Sequence, residues 1–146
     1  DSFCDLILLP DYYQQAANAL RFQQFDDSRA LILDYGRIRL FHLLSQIPAR
    51  KLPQFCDPDI VRLAQSDKAT GTEYFKTLMI YLKTHGSLQK TAAQCYVHRN
   101  TIAYRIEKIR ELFQLDPENE EKSFRYTFSC LILDYLQHNP AVQPED

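Results

Sequence analysis

Residues 87–109, SLQKTAAQCYVHRNTIAYRIEKI, carry two helical periodicities with room for only a turn between them. In the first, Leu88, Ala92 and Cys95 share one face of a helix over 88–96, and Ser87 is its expected N-cap. In the second, Ile102, Ile106 and Ile109 are spaced by four and three, again one helical face. This second helix is expected from residue 98 to near 113. Two apolar stripes so close in sequence must share a core, and helices joined so tightly cross steeply. A steep crossing needs a small side chain at the contact, which Ala92 or Ala93 supplies. It also needs an inward apolar residue in the turn, which Val97 supplies. Tyr96 departs from the pattern, because many such turns place glycine there and a bulky residue at positive φ is strained.

This arrangement is a helix-turn-helix. With the isoleucines inward, His98, Arg99, Asn100, Ala103 and Tyr104 face outward at the start of the second helix, where a recognition helix meets base edges. Arginine pairs with guanine and asparagine with adenine through two hydrogen bonds. Ser87, Gln89, Lys90, Thr101, Arg105 and Lys108 suit contacts to the phosphate backbone, and the positive helix end favours a phosphate as well. Singly, each residue has a plainer role. His98 and Asn100 can cap, Tyr104 can pack, and Arg105 can pair with a carboxylate across the domain.

Charge supports the same face. From Lys76 to Arg110 there are seven basic residues and one acid, Glu107, a net charge of +6. The whole chain of 146 residues carries −2, so the remainder carries −8. That asymmetry is the footprint of a DNA-binding module on an acidic remainder. Apolar content of 45% and charged content of 25% are those of a soluble globular protein. No apolar run approaches the roughly 18 residues of a membrane span, and FCDLILL at the start lacks the basic flank of a signal peptide. The chain opens on Asp1 rather than methionine, which is expected of a fragment of a longer protein.

Outside the motif the reading is coarser. FCDLILL (3–9) and ALILDY (30–35) are expected strands, the first ended by Pro10 and the second punctuated by Gly36. Helices are expected over 11–24, with Asp11 as cap and Tyr13, Ala16, Ala17, Leu20 and Gln24 along its face, and over 37–47, with Ile38, Phe41, Leu44 and Ile47 inward. Asp57 and Pro58 start a helix that ends between Asp67 and Gly71. Thr72 and Glu73 open the next, 72–85, with Phe75, Leu78, Met79 and Leu82 buried and Gly86 closing it. A last helix spans 119–137, its stripe formed by Phe124, Phe128, Leu131, Ile132 and Tyr135. The tail, 139–146, is expected to be disordered.

At this point a longer signature is visible. TL..YL...G....TA....VHRNT..YR..KI, from Thr77 to Ile109, resembles the C-terminal DNA-binding domain of the purine catabolism regulator / sugar diacid regulator family of bacterial transcription factors, the PucR type. The helix-turn-helix core also resembles that of the factor for inversion stimulation. The resemblance implies a mainly α fold: a small mixed α/β remnant of a GGDEF-like domain over 1–50, a connecting helix region over 51–71 and the DNA-binding domain over 72–138. It implies a cytoplasmic, sequence-specific regulator that binds double-stranded DNA as a homodimer or higher homo-oligomer. Its small-molecule effector would bind outside this chain.

Other functions fit poorly. Three glycines, Gly36, Gly71 and Gly86, cannot build a phosphate-cradling loop, and no nucleophile motif or acid/base cluster is present, so no enzyme activity, catalytic residue or cofactor is expected. Cys4, Cys56, Cys95 and Cys130 lie far apart with no metal-ligand spacing, and are expected to be buried structural thiols in a reducing compartment. The alternative is a helical interaction or dimerisation module of the same fold that has lost DNA binding.

Overall fold

A computed structural model describes residues 6–25 and 35–138. The described residues form helices and turns, with no strand among them. The chain divides into two compact units, residues 1–49 and 50–146.

In the first unit, α1 (Leu9–Arg21) packs on α2 (Tyr35–Ser45). The expected α/β remnant is not supported here. Residues 6–8 form a 3-10 turn and α1 starts at once, with Pro10 in its first turn. Proline suits that position because its missing N–H has no intrahelical partner to lose. Leu8 takes the cap position and makes no side-chain cap bond, so Asp11 is a first-turn acid rather than the cap. The buried face is also different. Ala19 and Phe22 are buried, whereas Tyr13 and Leu20 are exposed. Phe25 stacks on Phe41 with centroids 4.2 Å apart, and His42 is held between Tyr35 Oη (2.6 Å) and Asn18 Nδ2 (3.1 Å). These aromatic and polar contacts set the phase of α1. Gly36 lies inside α2 instead of ahead of it, and Ile38, Phe41 and Leu44 are buried along α2 as their spacing predicts. The strand expected at 30–35 and the tail at 139–146 fall almost wholly outside the described residues; Tyr35 is helical.

The second unit is a helical domain built around α4 (Tyr74–Lys83), which contacts α3 (Pro58–Thr70), α5 (Leu88–Cys95), α6 (Arg99–Phe113) and α7 (Glu120–His138). Asp57 caps α3 by accepting from the Asp59 N–H at 3.0 Å, and Gly71 ends it at φ 70°. Asp67, near the end of α3, then accepts from the Phe75 N–H at 2.7 Å, so a side chain from one helix closes the start of the next. Helix α4 is short, yet Phe75, Thr77, Leu78, Ile80, Tyr81 and Leu82 are all buried, as a central helix surrounded by others requires. Two threonines tie it to α5: Thr84 Oγ1 and Thr91 Oγ1 are 2.8 Å apart and buried.

Helix α7 buries Ile132 and Tyr135 as expected, but its first half departs in phase. Tyr126, Ser129, Cys130, Ile132 and Tyr135 are buried, while Phe124 is 75% exposed and stacks on Phe128. Ser129 is inward because it bonds to the cap of α3 (Asp57 N–H to Ser129 Oγ, 2.8 Å), and Tyr126 and Cys130 join the core cluster.

Candidate nucleic-acid interface

Helices α5 and α6 form the two arms of the site. Ser87 caps α5 by accepting from the Lys90 N–H at 3.3 Å. Thr91 and Ala92 are buried against the core, whereas Ala93 is exposed, so Ala92 is the small residue at the crossing. The turn is tight. Tyr96 lies at φ 56°, ψ 39°, the left-handed conformation that its place in the turn implied. The Val97 N–H reaches back to the Ala92 carbonyl at 3.1 Å. Val97 packs partly buried on the core, and the Tyr96 side chain is 90% exposed.

Helix α6 is anchored by Ile102, Ile106 and Ile109, each buried, and by Phe113 at its end. Its N-cap is His98, whose Nδ1 accepts from the Asn100 N–H at 3.2 Å. The imidazole is thereby used in part to satisfy the helix start. Arg99, Asn100, Ala103 and Tyr104 are exposed on the outer face, and Thr101 is half-buried. On α5, Gln89 and Lys90 are exposed and Ser87 is half-buried. Among the described residues, the side chains of Arg99 and Lys90 have no hydrogen-bond or ion-pair partner.

Two basic candidates are engaged within the domain. Lys108 Nζ lies 2.5 Å from Glu111 Oε2 and 5.9 Å from the centre of the Tyr104 ring. Its hydrogen bond to Glu111 pushes the ammonium pKa up, which keeps it charged. Arg105 turns back across the domain. Its Nη1 donates to Thr77 Oγ1 at 3.0 Å and its Nη2 to Glu73 Oε2 at 3.1 Å, leaving the side chain 19% exposed. The pairing with a carboxylate that the sequence left open is the one found. Glu73 also meets Lys76 at 3.5 Å. The hydrogen bond from Arg105, then the charge of Lys76, hold the Glu73 carboxyl below its ordinary range.

The outward residues lie where the isoleucine spacing predicts them, whereas the partners of Arg105 leave no signal in the sequence. The Lys108–Glu111 pair sits at i,i+3 and is legible on one helix, whereas Glu73 and Arg105 are 32 positions apart. No local pattern connects them. No cluster of His, Cys, Asp or Glu able to hold a metal is found among the described residues, and none of their helices is long and apolar enough to cross a membrane. Burial pushes the Cys56 thiol up to about 11 and raises those of Cys95 and Cys130, although Cys56 and Cys95 are only half-buried.

A capped scaffold helix, a left-handed turn and a second helix anchored by isoleucines make this domain a helix-turn-helix protein. Residues 74–132 match the PucR C-terminal helix-turn-helix domain. The chain is similar to the purine catabolism regulatory protein of Bacillus subtilis (strain 168), at 33% identity over 120 residues, 82% of this chain and 22% of the relative. It is also similar to the proline-responsive transcriptional activator PutR of the same organism, at 26% identity over 113 residues, 76% of this chain and 28% of the relative. The chain thus spans about a quarter of the length of the curated relatives it matches. No solved structure matches it. These relatives are named as regulators, and neither is named as an enzyme.

Proposed function

We propose that this chain is the DNA-binding part of a bacterial, cytoplasmic transcriptional regulator, and that α6 enters the major groove of double-stranded DNA. The observation that carries this reading is the pairing of Arg99 and Asn100, both exposed on the first turn of a helix whose opposite face is locked by buried Ile102, Ile106 and Ile109. A rigid helix with an outward Arg-Asn start has the chemistry to read guanine and adenine edges. His98 and Tyr104 flank that start and contact the groove walls. Ser87, Gln89 and Lys90 on α5 touch one strand's backbone, with Thr101 and Lys108 providing further phosphate contacts from α6. The family match of residues 74–132 and the regulator names of the relatives support the same reading.

A single module of this kind buries roughly 600–1,000 Å² on DNA, so useful affinity calls for a homodimer or higher oligomer on two half-sites. The small-molecule effector binds outside this chain. The test is fluorescence anisotropy with a random-sequence duplex at low and moderate salt. The chain is expected to bind and to weaken steeply as salt rises, because phosphate neutralisation releases counterions. Absence of binding at low salt would leave a helical interaction module instead.

A further inference from the structure

Arg105 sits on the outer helix of a DNA-binding fold, carries a permanent charge and lies nearly two turns beyond the helix start. By position alone it belongs with the phosphate contacts. Its geometry points elsewhere. The guanidinium makes two bonds on two nitrogens to two residues of one turn: Thr77 Oγ1 at 3.0 Å and Glu73 Oε2 at 3.1 Å. Thr77 is fully buried, and its hydroxyl donates to the Glu73 carbonyl at 2.7 Å, so its own acceptor capacity is what Arg105 uses. The carboxylate of Glu73 is available because it makes no cap bond to α4; Asp67 supplies that bond to the Phe75 N–H instead.

We propose that Arg105 is a positioning residue, clamping α6 to the start of α4 through Glu73 and Thr77 and so fixing the angle at which Arg99 and Asn100 are presented. This rests on the DNA-binding reading above. The isoleucine stripe sets which face of α6 is buried, and contacts off that stripe refine its rotation about its axis. Arg105 lies beside Ile102 and Ile106 on the flank facing α4, and a planar fork held at two points resists rotation where a flexible ammonium does not. The mostly buried guanidinium would have to break both bonds to reach a phosphate.

The two roles predict opposite signs for one substitution. If Glu73 merely holds back a phosphate contact, Glu73→Gln releases Arg105, tightens binding to a random-sequence duplex and steepens its salt dependence by about one counterion. If Arg105 positions α6, Glu73→Gln weakens binding about five-fold relative to Glu121→Gln, a control with the same charge change, and leaves the salt slope unchanged. Arg105→Ala is expected to weaken binding by a similar factor, also without changing the slope, and the double variant to be no worse than either single one. Arg105→Lys keeps the charge but loses the fork, so it should fail to restore binding. Circular dichroism at the assay temperature checks that each variant is folded, and the Lys and Gln variants keep the test open should the alanine variant unfold. Tighter binding by Glu73→Gln, rescue by Arg105→Lys, or a slope reduced by about one in Arg105→Ala would each overturn the proposal. Wild-type binding indifferent to all these substitutions would remove the clamp alone. A wild-type chain that binds no DNA would remove the DNA-binding reading and the proposal together.

Discussion

The Ser129 hydroxyl on α7 accepts a hydrogen bond from the Asp57 backbone N–H at 2.8 Å, joining the last helix to the cap of α3. Ser129 is 1% exposed and itself donates to the Arg125 carbonyl at 2.7 Å, so both of its roles are filled. Ser129→Ala strands the Asp57 N–H next to the new methyl group and is expected to cost about 1–2 kcal/mol of stability. The exposed half of the same junction behaves differently. Arg125 pairs with Asp57 at 2.8 Å but is 63% exposed, so solvent screening makes Arg125→Ala less costly than Ser129→Ala. Urea unfolding of the two variants measures the ranking, and equal losses would contradict it.

Tyr96 holds a left-handed conformation, at φ 56°, with a side chain that is 90% exposed. The turn therefore carries strain that little packing offsets. Tyr96→Gly is expected to stabilise the domain by about 1 kcal/mol, read as a rise in the denaturant midpoint at unchanged slope. Gly86 is the converse case, at φ 77° with the Tyr81 hydroxyl 3.4 Å from where a Cβ would stand. Gly86→Ala is expected to destabilise by about 1 kcal/mol or more. A neutral Gly86→Ala and a destabilising Tyr96→Gly would show that the turns are not strained in this way.

Glu73 gives the pH dependence of the α4–α6 junction a definite sign. Its folded pKa lies below the ordinary 4.5, chiefly through the Arg105 hydrogen bond. The unfolded chain therefore binds this proton more readily, and the stabilisation is fully present above the ordinary value. It is lost as pH falls through the lowered one. The stability difference between wild type and Glu73→Gln should be constant near neutrality and shrink below about pH 4. Because Glu73 is half exposed, solvent screening keeps the difference small. Denaturant titrations at a series of pH values measure it; a difference that grows on acidification would contradict the sign.

Much of the site was legible because its constraints are local. Three isoleucines at helical spacing, a serine cap and a three-residue connection need no distant partner to be recognised, and α5, α6 and the Asp57–Pro58 start of α3 lie where those signals put them. Phases were lost where the inward residues are small or polar. On α7 the large apolar Phe124 faces solvent, while Ser129 turns inward for a hydrogen bond to a residue 72 positions away. On α1 the expected face of Tyr13 and Leu20 is exposed, and Ala19 is buried instead, next to Asn18, which bonds to His42 on a later helix. The choice between phosphate and carboxylate for Arg105 stays open in the sequence for the same reason: Glu73 and Thr77 lie at a helix start that only the fold brings near.

The proposed roles of Arg99 in base reading and of Lys90 in backbone contact predict different effects. Lys90→Ala should weaken all duplexes alike and lower the salt slope by about one, whereas Arg99→Ala should cost about 1–3 kcal/mol on a preferred site and little on random DNA.

The most direct measurement is therefore a selection from a randomised duplex library by the wild-type chain and by Arg99→Ala, with the bound fragments sequenced. The wild type is expected to enrich a short motif, repeated at a half-site spacing if the chain dimerises, and Arg99→Ala to lose preference at one position of it while retaining the rest. Enrichment of no sequence above the starting library, with wild type and Arg99→Ala alike, would contradict sequence-specific recognition by α6.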